Sequence, residues 1–231
     1  MLEGLSRVFV PVHRDGHKFL AITLALTVVA FLIWSLVGWL LLFVTLFVAF
    51  FFRDPARVTP LREGLVIAPA DGEIIAIEAS QPPTELGLEP GERTRISIYL
   101  SPFDVHVNRA PIAGRISRSV YVPGAFFNAT LDKASDDNER RGLLIEGAKG
   151  VEIAVVQIAG LLARRIVTFA GEGDTVGVGQ RFGLIRFGSR VDVYLPVGRS
   201  ALVAVGQRAV AGETILADLK SDEDEREARR S

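Results

Sequence analysis

Three side chains have types that could carry acid–base or nucleophilic chemistry: Asp71, His106 and Ser189. The chain contains three histidines, and His13 and His17 precede a long apolar run, so imidazole chemistry beyond that run falls to His106. A serine hydroxyl is a weak nucleophile that needs a base, and a carboxylate can orient that base and stabilise its charged form. Each residue also has an ordinary structural explanation when it is taken alone.

Composition excludes several kinds of site. The chain has no cysteine, which excludes disulfides, thiolate metal sites and cysteine nucleophiles. Its formal net charge is −1, so no basic surplus indicates a nucleic-acid partner. His13 and His17 share a helical spacing, but a solvated helix face explains them better than a metal site does. Asp132, Asp136 and Asp137 fit no calcium loop. We therefore expect neither a metal cofactor nor a nucleic-acid partner.

An uncharged apolar run covers residues 19–52. As one straight helix it would be about 51 Å long, against about 30 Å for the hydrocarbon core of a bilayer. Two tryptophans and a glycine lie in its middle, where they suit a membrane interface or a turn. We therefore predict a membrane helical hairpin with two arms, Phe19–Leu36 and Trp39–Phe52.

Lysine and arginine flank the apolar run on both sides. This distribution favours both ends of the hairpin, and the lead-in at residues 1–18, on the cytoplasmic side of the membrane. The second arm is short, so a re-entrant hairpin and two full spans both fit the pattern. We expect a cell-membrane protein whose folded domain faces the cytoplasm, held either peripherally or by the hairpin.

From Gly64 onward, short β-branched segments alternate with glycine, proline and aspartate. Spacing of this kind is typical of an antiparallel β-sandwich or barrel. We therefore predict a mainly β domain over residues 53–219, followed by a solvated charged tail at residues 220–231. The predicted strands are Leu65–Ala68, Gly72–Glu78, Arg95–Leu100, Gly114–Tyr121, Arg141–Ile145, Val151–Ile158, Val167–Phe169, Phe182–Phe187, Arg190–Tyr194, Ala201–Val203 and Thr214–Leu219.

Residues 176–183 and 203–210 echo each other. Their Gly-Gln pattern resembles the hairpins of lipoyl- and biotinyl-type flattened β-barrels (barrel-sandwich hybrids), a likeness of fold that gives no function. A carrier domain of that type needs a lysine at the tip of a tight hairpin, whereas this chain offers Arg181 or Arg208. The pattern therefore indicates the fold and counts against a carrier.

Three motifs occur in a fixed order along the chain. They are Pro-Ala-Asp-Gly at 69–72, Ser-Pro-x-Asp-x-His at 101–106, and Gly-Ser at 188–189, followed by Val-Asp-Val at 191–193. Together, behind a membrane hairpin, they resemble the phosphatidylserine decarboxylase family, in particular its short, membrane-anchored prokaryotic branch. The resemblance covers nearly the whole chain and implies a lyase of phospholipid biosynthesis.

Decarboxylation of an α-amino acid leaves a carbanion that needs an electron sink. Pyridoxal phosphate is held by a lysine, usually beside a phosphate cradle, and none of Lys133, Lys149 and Lys220 sits in a glycine-rich phosphate loop. We therefore expect no pyridoxal phosphate. A ketone made from the chain itself is the other solution to the same chemical problem.

The family resemblance implies that this ketone is a pyruvoyl group made from Ser189. Ser189 Oγ would attack the Gly188 carbonyl, and elimination would leave a β-chain of residues 1–188 and an α-chain of residues 189–231, a heterodimer of its own fragments. The pyruvoyl group would bind the amine of phosphatidylserine as a Schiff base, and phosphatidylethanolamine would be released. His106 would act as general acid and base, and Asp71 would orient His106.

One position departs from longer bacterial members of the family. Where they carry a second histidine, three positions after the one matching His106, this chain has Arg109. Either His106 serves both self-cleavage and turnover, or Asp71 and a water act in the first step. Arg109 is also a candidate to hold the substrate carboxylate or phosphate, and Asn108 beside it is a second candidate for substrate binding.

A non-enzymatic function is the alternative. A helical anchor carrying a lipoyl-like β-domain could serve as a membrane adaptor that binds partner proteins. That reading explains the anchor and the repeats but leaves Asp71, His106 and Ser189 without a role. Association of several copies is compatible with either function.

Overall fold

The computed structural model describes residues 10–130, 137–161, 165–186, 188–221, 223–224 and 226. Parts of the lead-in and the charged tail predicted above, together with Asp132, Lys133 and Asp136, lie outside these described residues. The chain divides into two compact units, Met1–Ala56 and Arg57–Ser231. The first unit is helical and the second consists mainly of β-strands.

The first unit is the predicted apolar hairpin, with helices α1 (Arg14–Ile33) and α2 (Ser35–Phe51). The predicted arm boundaries are wrong by several residues. Helix α1 begins before the apolar run because the His13 side chain accepts a hydrogen bond from the Asp15 amide at 3.3 Å and caps the first turn. The break falls at Trp34 alone, whose backbone is extended, with φ −154° and ψ 110°.

Close packing between the two helices explains why Gly38 lies inside α2 and not in the turn. A Cβ on Gly38 would come within 2.4 Å of the Phe31 ring, so glycine is needed to let the ring approach. Thr27 and Thr45 share a buried hydrogen bond of 2.9 Å between their hydroxyls. Small residues and paired hydroxyls at a helix contact are typical of packing within a membrane.

The outward faces of the hairpin are apolar. Within the part of the chain that the structure describes, α1 is the one helix both long and apolar enough to cross a membrane, and α2 is apolar but shorter. Large apolar side chains remain exposed along both helices and at their connection, and such a surface suits lipid better than water. The most exposed are Leu32, Ile33, Trp34, Leu36, Trp39, Leu40 and Phe43.

The second unit contains thirteen described strands and two short 3₁₀ turns, Thr84–Leu86 and Ala148–Gly150. The strands are β1 (Leu65–Ile67), β2 (Gly72–Ser80), β3 (Arg93–Leu100), β4 (Val107–Arg109), β5 (Gly114–Val122), β6 (Arg140–Glu146), β7 (Glu152–Ala159), β8 (Ile166–Thr168), β9 (Thr175–Val176), β10 (Arg181–Ile185), β11 (Ser189–Tyr194), β12 (Arg208–Ala209) and β13 (Ile215–Asp218).

Every pairing among these strands is antiparallel. The described strands form an eight-stranded sheet in the order β12-β2-β3-β11-β7-β6-β5-β9, a three-stranded sheet β4-β10-β8 and the pair β1-β13. The prediction of a mainly antiparallel β domain behind a helical hairpin is therefore confirmed. The segment Ala201–Val203 is not a strand, although Leu202 N donates a hydrogen bond to Leu216 O at 2.8 Å.

Strand β11 lies in the centre of the large sheet, between β3 and β7. On one face, Val191 and Val193 pack into the main hydrophobic core. On the other face, Arg190 and Asp192 form a buried ion pair, with Arg190 Nη2 2.9 Å from Asp192 Oδ2. Replacing one partner of such an ion pair by a neutral residue is strongly destabilising, because the charge of the other partner stays buried.

We expect stability to fall between about pH 10 and pH 12 because of Tyr194, the last residue of β11. Burial and the neighbouring Asp192 carboxylate raise the pKa of Tyr194 to about 12. Unfolding returns this pKa to about 10, so the folded state holds the phenol proton more tightly. The raised pKa of Tyr194 contributes about 2–3 kcal/mol to the free energy of unfolding. This contribution is complete below pH 10 and is lost as the pH rises through 12.

Urea unfolding of Ser189→Ala, which is expected to stay one chain, measures the effect of Tyr194 across this pH range. Adding Tyr194→Phe removes the phenol proton and should give a shallower decline in the free energy of unfolding. Parallel declines for the two proteins would contradict the assignment to Tyr194.

Candidate active site

Ser189 is the first residue of the central strand β11. It pairs with Leu100 at the end of β3 on one side and with Ala159 at the end of β7 on the other. The side chain is fully buried, and its hydroxyl has no hydrogen-bond partner among the described residues. A buried hydroxyl left unpaired costs about 1–3 kcal/mol. Ser97 shares this feature, so Ser189 is distinguished by the glycine that precedes it.

Gly188 supplies the carbonyl beside this hydroxyl. Its φ is +54°, in the left-handed region that favours glycine. A Cβ placed on Gly188 would meet nothing within 4 Å, so backbone conformation, and not lack of space, is what makes glycine suitable here. The preceding residue of the predicted motif, Phe187, lies outside the described residues.

His106 lies in the loop between β3 and β4, which is closed by a capped turn. The Asp104 carboxylate accepts hydrogen bonds from Ser101 N at 2.8 Å and from Ser101 Oγ at 2.7 Å. The Asp104 side chain also forms an ion pair with Arg208. These contacts explain the spacing of serine, aspartate and histidine in the motif, because they fix the turn from which the His106 ring projects.

The ring of His106 is buried, and its Nδ1 lies 2.9 Å from the Asp104 carbonyl oxygen. A carbonyl oxygen only accepts hydrogen bonds, so Nδ1 carries the hydrogen. In the neutral ring the lone pair is therefore on Nε2. This tautomer is the one that a base acting through Nε2 requires.

Strand pairing brings the loop of His106 to the segment that leads into Ser189. Ile185, the last residue of β10, donates its backbone N–H to His106 O at 3.2 Å. Leu184 pairs with Val107 in the same register. The end of β10 therefore lies beside His106 and the start of β4.

The contacts of Asp71 are with Arg57 and Ala211, and its role in orienting His106 stays a prediction. The Asp71 carboxylate accepts hydrogen bonds from Arg57 Nη2 at 2.7 Å and from Ala211 N at 2.8 Å. The Asp104 carbonyl makes one contact with the imidazole, at Nδ1. A backbone carbonyl can select a histidine tautomer as a carboxylate does.

Asp71 nevertheless lies at the same end of the sheet as Ser189. It precedes β2, in which Glu73 pairs with Tyr99, and Tyr99 in turn pairs with Arg190 of β11. The two strands that begin near Asp71 and Ser189 are thus separated by β3 alone. Two strand spacings correspond to about 10 Å between their backbones.

Asn108 and Gln157 form a fully buried amide pair near this end of the sheet. Gln157 Nε2 donates to Asn108 Oδ1 at 2.7 Å, and Asn108 Nδ2 donates to Pro69 O at 3.4 Å. Because Gln157 is opposite Val191 and two residues from Ala159, its side chain shares a face with Ser189. Sequence reasoning missed Gln157, although a lone polar residue within an apolar strand was an available signal.

Arg109 is buried and donates from Nη1 to Gly179 O at 3.0 Å. It follows Asn108 on β4, and successive strand residues point to opposite faces. The structure thus places Asn108 beside Gln157 and directs Arg109 toward a different loop.

The described residues offer little for a metal or an aldehyde cofactor. Within them, no group of three or more histidine, cysteine, aspartate or glutamate side chains is arranged to hold a metal ion. Lys149 and Lys220 both form exposed ion pairs with Glu63, at 3.4 Å and 2.7 Å. Hydrogen bonds from Lys220 and Lys149 lower the pKa of Glu63, which fits a solvated charge cluster.

Sequence comparison with known proteins identifies the family of this chain. The family model for phosphatidylserine decarboxylase matches residues 44–217. A protein of Ruegeria pomeroyi is 60% identical over 91% of this chain and 96% of its own length. A protein of Azorhizobium caulinodans is 57% identical over 94% of this chain and 93% of its own length. A protein of Cereibacter sphaeroides is 54% identical over 100% of this chain and 97% of its own length. All three relatives are named phosphatidylserine decarboxylase proenzyme. The chain therefore belongs to the phosphatidylserine decarboxylase family.

Proposed function

We propose that this chain is a proenzyme that cuts itself between Gly188 and Ser189 and then converts phosphatidylserine to phosphatidylethanolamine. The observation that carries the proposal is the buried Ser189 hydroxyl, which has no hydrogen-bond partner in the described part of the chain and follows a glycine in the left-handed conformation. The names of the relatives, which describe proenzymes of this activity, support it. The products of cleavage are a β-chain of residues 1–188 and an α-chain of residues 189–231.

Self-cleavage begins at the Ser189 hydroxyl. His106 Nε2 takes the hydroxyl proton as Oγ bonds to the Gly188 carbonyl carbon, and that proton passes to the Ser189 nitrogen as the C–N bond breaks. An ester now joins the two residues. Loss of the Ser189 α-proton with cleavage of the Cβ–Oγ bond leaves a carboxylate on Gly188, and water then replaces the nitrogen, which departs as ammonia.

The residues of the site fit the pyruvoyl group that these bond changes would leave at position 189. The position is fully buried between two strands, with the polar Asn108–Gln157 pair on the same side. The pyruvoyl carbonyl supplies an electron sink for the electron pair left when carbon dioxide departs. His106 delivers a proton to the substrate α-carbon, and the buried setting excludes water from competing.

Asn108 is proposed as a substrate-positioning residue, because its amide lies on the side of the sheet that carries Gln157 and Ser189. Arg109 has its guanidinium directed to Gly179 O. That contact supports a role in holding β4 in place more than a direct role in binding the substrate carboxylate or phosphate.

The apolar hairpin supports a membrane location with the β-domain on the cytoplasmic face. A two-chain phospholipid does not readily leave a bilayer, so an enzyme acting on its headgroup benefits from being tethered to the surface. The basic residues on both sides of the hairpin support the cytoplasmic orientation.

Intact mass and activity of the wild-type protein test the proposal directly. We expect two fragments in denaturing conditions, with the smaller one blocked to N-terminal sequencing and carrying a carbonyl that borohydride reduces. Carbon dioxide should be released from carboxyl-labelled phosphatidylserine in detergent micelles. An adaptor would remain one unbroken chain without this carbonyl, and that result would overturn the proposal.

We propose that Asp71 assists self-cleavage through a water, and Asp71→Asn should slow cleavage about 100-fold. The matched variant Arg57→Gln removes the same ion pair from the other side and should be cut at nearly the wild-type rate. Both changes should lower stability by about 1–3 kcal/mol, because each removes a charged hydrogen bond. Equal cleavage rates for the two variants would reduce Asp71 to a structural partner of Arg57.

A further inference from the structure

Gly160, the residue after β7, lies directly against the carbonyl of the scissile bond. A Cβ placed on Gly160 would be 2.1 Å from Gly188 O, 3.0 Å from Gly188 C and 3.3 Å from the Ala129 side chain. Gly160 is not among the glycines with positive φ. Lack of space, and not an unusual backbone conformation, is therefore what requires glycine at this position.

The backbone around Gly160 is held in place by its neighbours. Ala159 pairs with Ser189 across the sheet, and its N–H donates to Glu139 O at 2.9 Å. The carbonyl of Ala159 accepts a hydrogen bond from the buried Asn138 amide at 2.7 Å. Gly160 consequently has little freedom to retreat from an added methyl group.

An added methyl group at residue 160 would shift the backbone of Gly188. Gly188 lies in the connection before β11 and has open space around the position of a Cβ. A methyl group on residue 160 would therefore displace the Gly188 carbonyl, the group that Ser189 Oγ must reach. Nucleophilic attack needs reacting atoms about 3–3.5 Å apart, and a displacement of about 1 Å costs about 100-fold in rate.

We propose that Gly160 is a positioning residue for self-cleavage, which seats the Gly188 carbonyl where the Ser189 hydroxyl can attack it. The inference rests on the proposed function, since it concerns the step that matures the enzyme. Gly160 itself contributes no proton or electron pair. Its contribution is the absence of a side chain at the point where two backbones meet.

Gly160→Ala should be cut about 100-fold more slowly than wild type, measured by the appearance of the two fragments after synthesis in vitro with micelles. Gly171→Ala is the matched control, because a Cβ at Gly171 meets nothing within 4 Å and its φ is also ordinary. That variant should be cut at the wild-type rate. Equal rates for Gly160→Ala and wild type would overturn the inference while leaving the proposed function intact, whereas an uncut wild type would overturn the proposed function itself.

Hydroxylamine separates positioning from later steps, because it cleaves an ester but leaves an amide intact. We expect it to add few fragments to those that Gly160→Ala forms by its own slow cleavage, since the ester forms about 100-fold more slowly. Full release would show that attack still occurs and would contradict the inference.

Folding is checked in the Ser189→Ala background, where neither protein can be cut. Adding Gly160→Ala should leave a cooperative thermal transition within a few degrees of the parent. Loss of that transition would also contradict the inference, because Gly160 would then be a folding residue and not a positioning one.

Discussion

Ser189→Ala is expected to yield one uncut chain that releases no carbon dioxide from phosphatidylserine. In the proposed mechanism the hydroxyl is both the nucleophile of self-cleavage and the source of the ketone, so its removal stops the first bond change and everything after it. The variant should fold at least as well as the parent, because the lost hydroxyl is buried and makes no hydrogen bond with the described residues. Denaturing electrophoresis and intact mass give the chain length, and labelled phosphatidylserine gives the activity.

Ser97→Ala is the matched control for this variant. Ser97 is a fully buried serine of the neighbouring strand β3, paired with Asp192, and its hydroxyl also has no hydrogen-bond partner among the described residues. It should be cut and active like wild type. Decarboxylation by uncut Ser189→Ala would refute a pyruvoyl mechanism at this position.

His106→Ala should lose about 10²–10⁴-fold in turnover and should be cut more slowly, because in the proposed scheme one imidazole is both base for the hydroxyl and proton donor to the substrate. The contact of Nδ1 with the Asp104 carbonyl leaves the lone pair of the neutral ring on Nε2, the atom that the scheme uses. Turnover is expressed per cut molecule, counted by borohydride labelling, so that slower maturation is not mistaken for slower catalysis.

His17→Ala is the control for the His106 variant, since His17 is an exposed histidine of the helical unit. It should mature and turn over at wild-type rates. Wild-type turnover per cut molecule in His106→Ala would remove this histidine from the catalytic scheme. Wild-type cleavage with lost turnover would instead divide the two steps between different bases.

Much of the fold could be predicted from sequence because turn residues mark the ends of its strands. Ten of the eleven predicted segments overlap observed strands, with ends that differ by a few residues. The strands Val107–Arg109, Thr175–Val176 and Arg208–Ala209 were missed because two or three residues carry too little pattern. Ala201–Val203 has the composition of a strand, yet only an isolated backbone hydrogen bond forms there.

The site was only partly predictable. Its motifs make Ser189 and His106 candidates from local sequence, because a left-handed glycine and a capped turn leave signatures a few residues long. The partner of Asp71 was not predictable, since Arg57 comes from the segment before the first strand. Gly160 carries no motif, and its importance appears only when the ends of β7 and β11 lie side by side.

The proposed cut before β11 has a consequence for refolding. The central strand of the sheet would then belong to a different polypeptide from its neighbours β3 and β7, while still paired with both. If the mature protein is denatured, its two pieces diffuse apart, and recovery becomes a second-order encounter whose yield depends on dilution. The proenzyme folds as a single molecule, so the proposed cut replaces a first-order folding reaction with one whose rate depends on protein concentration.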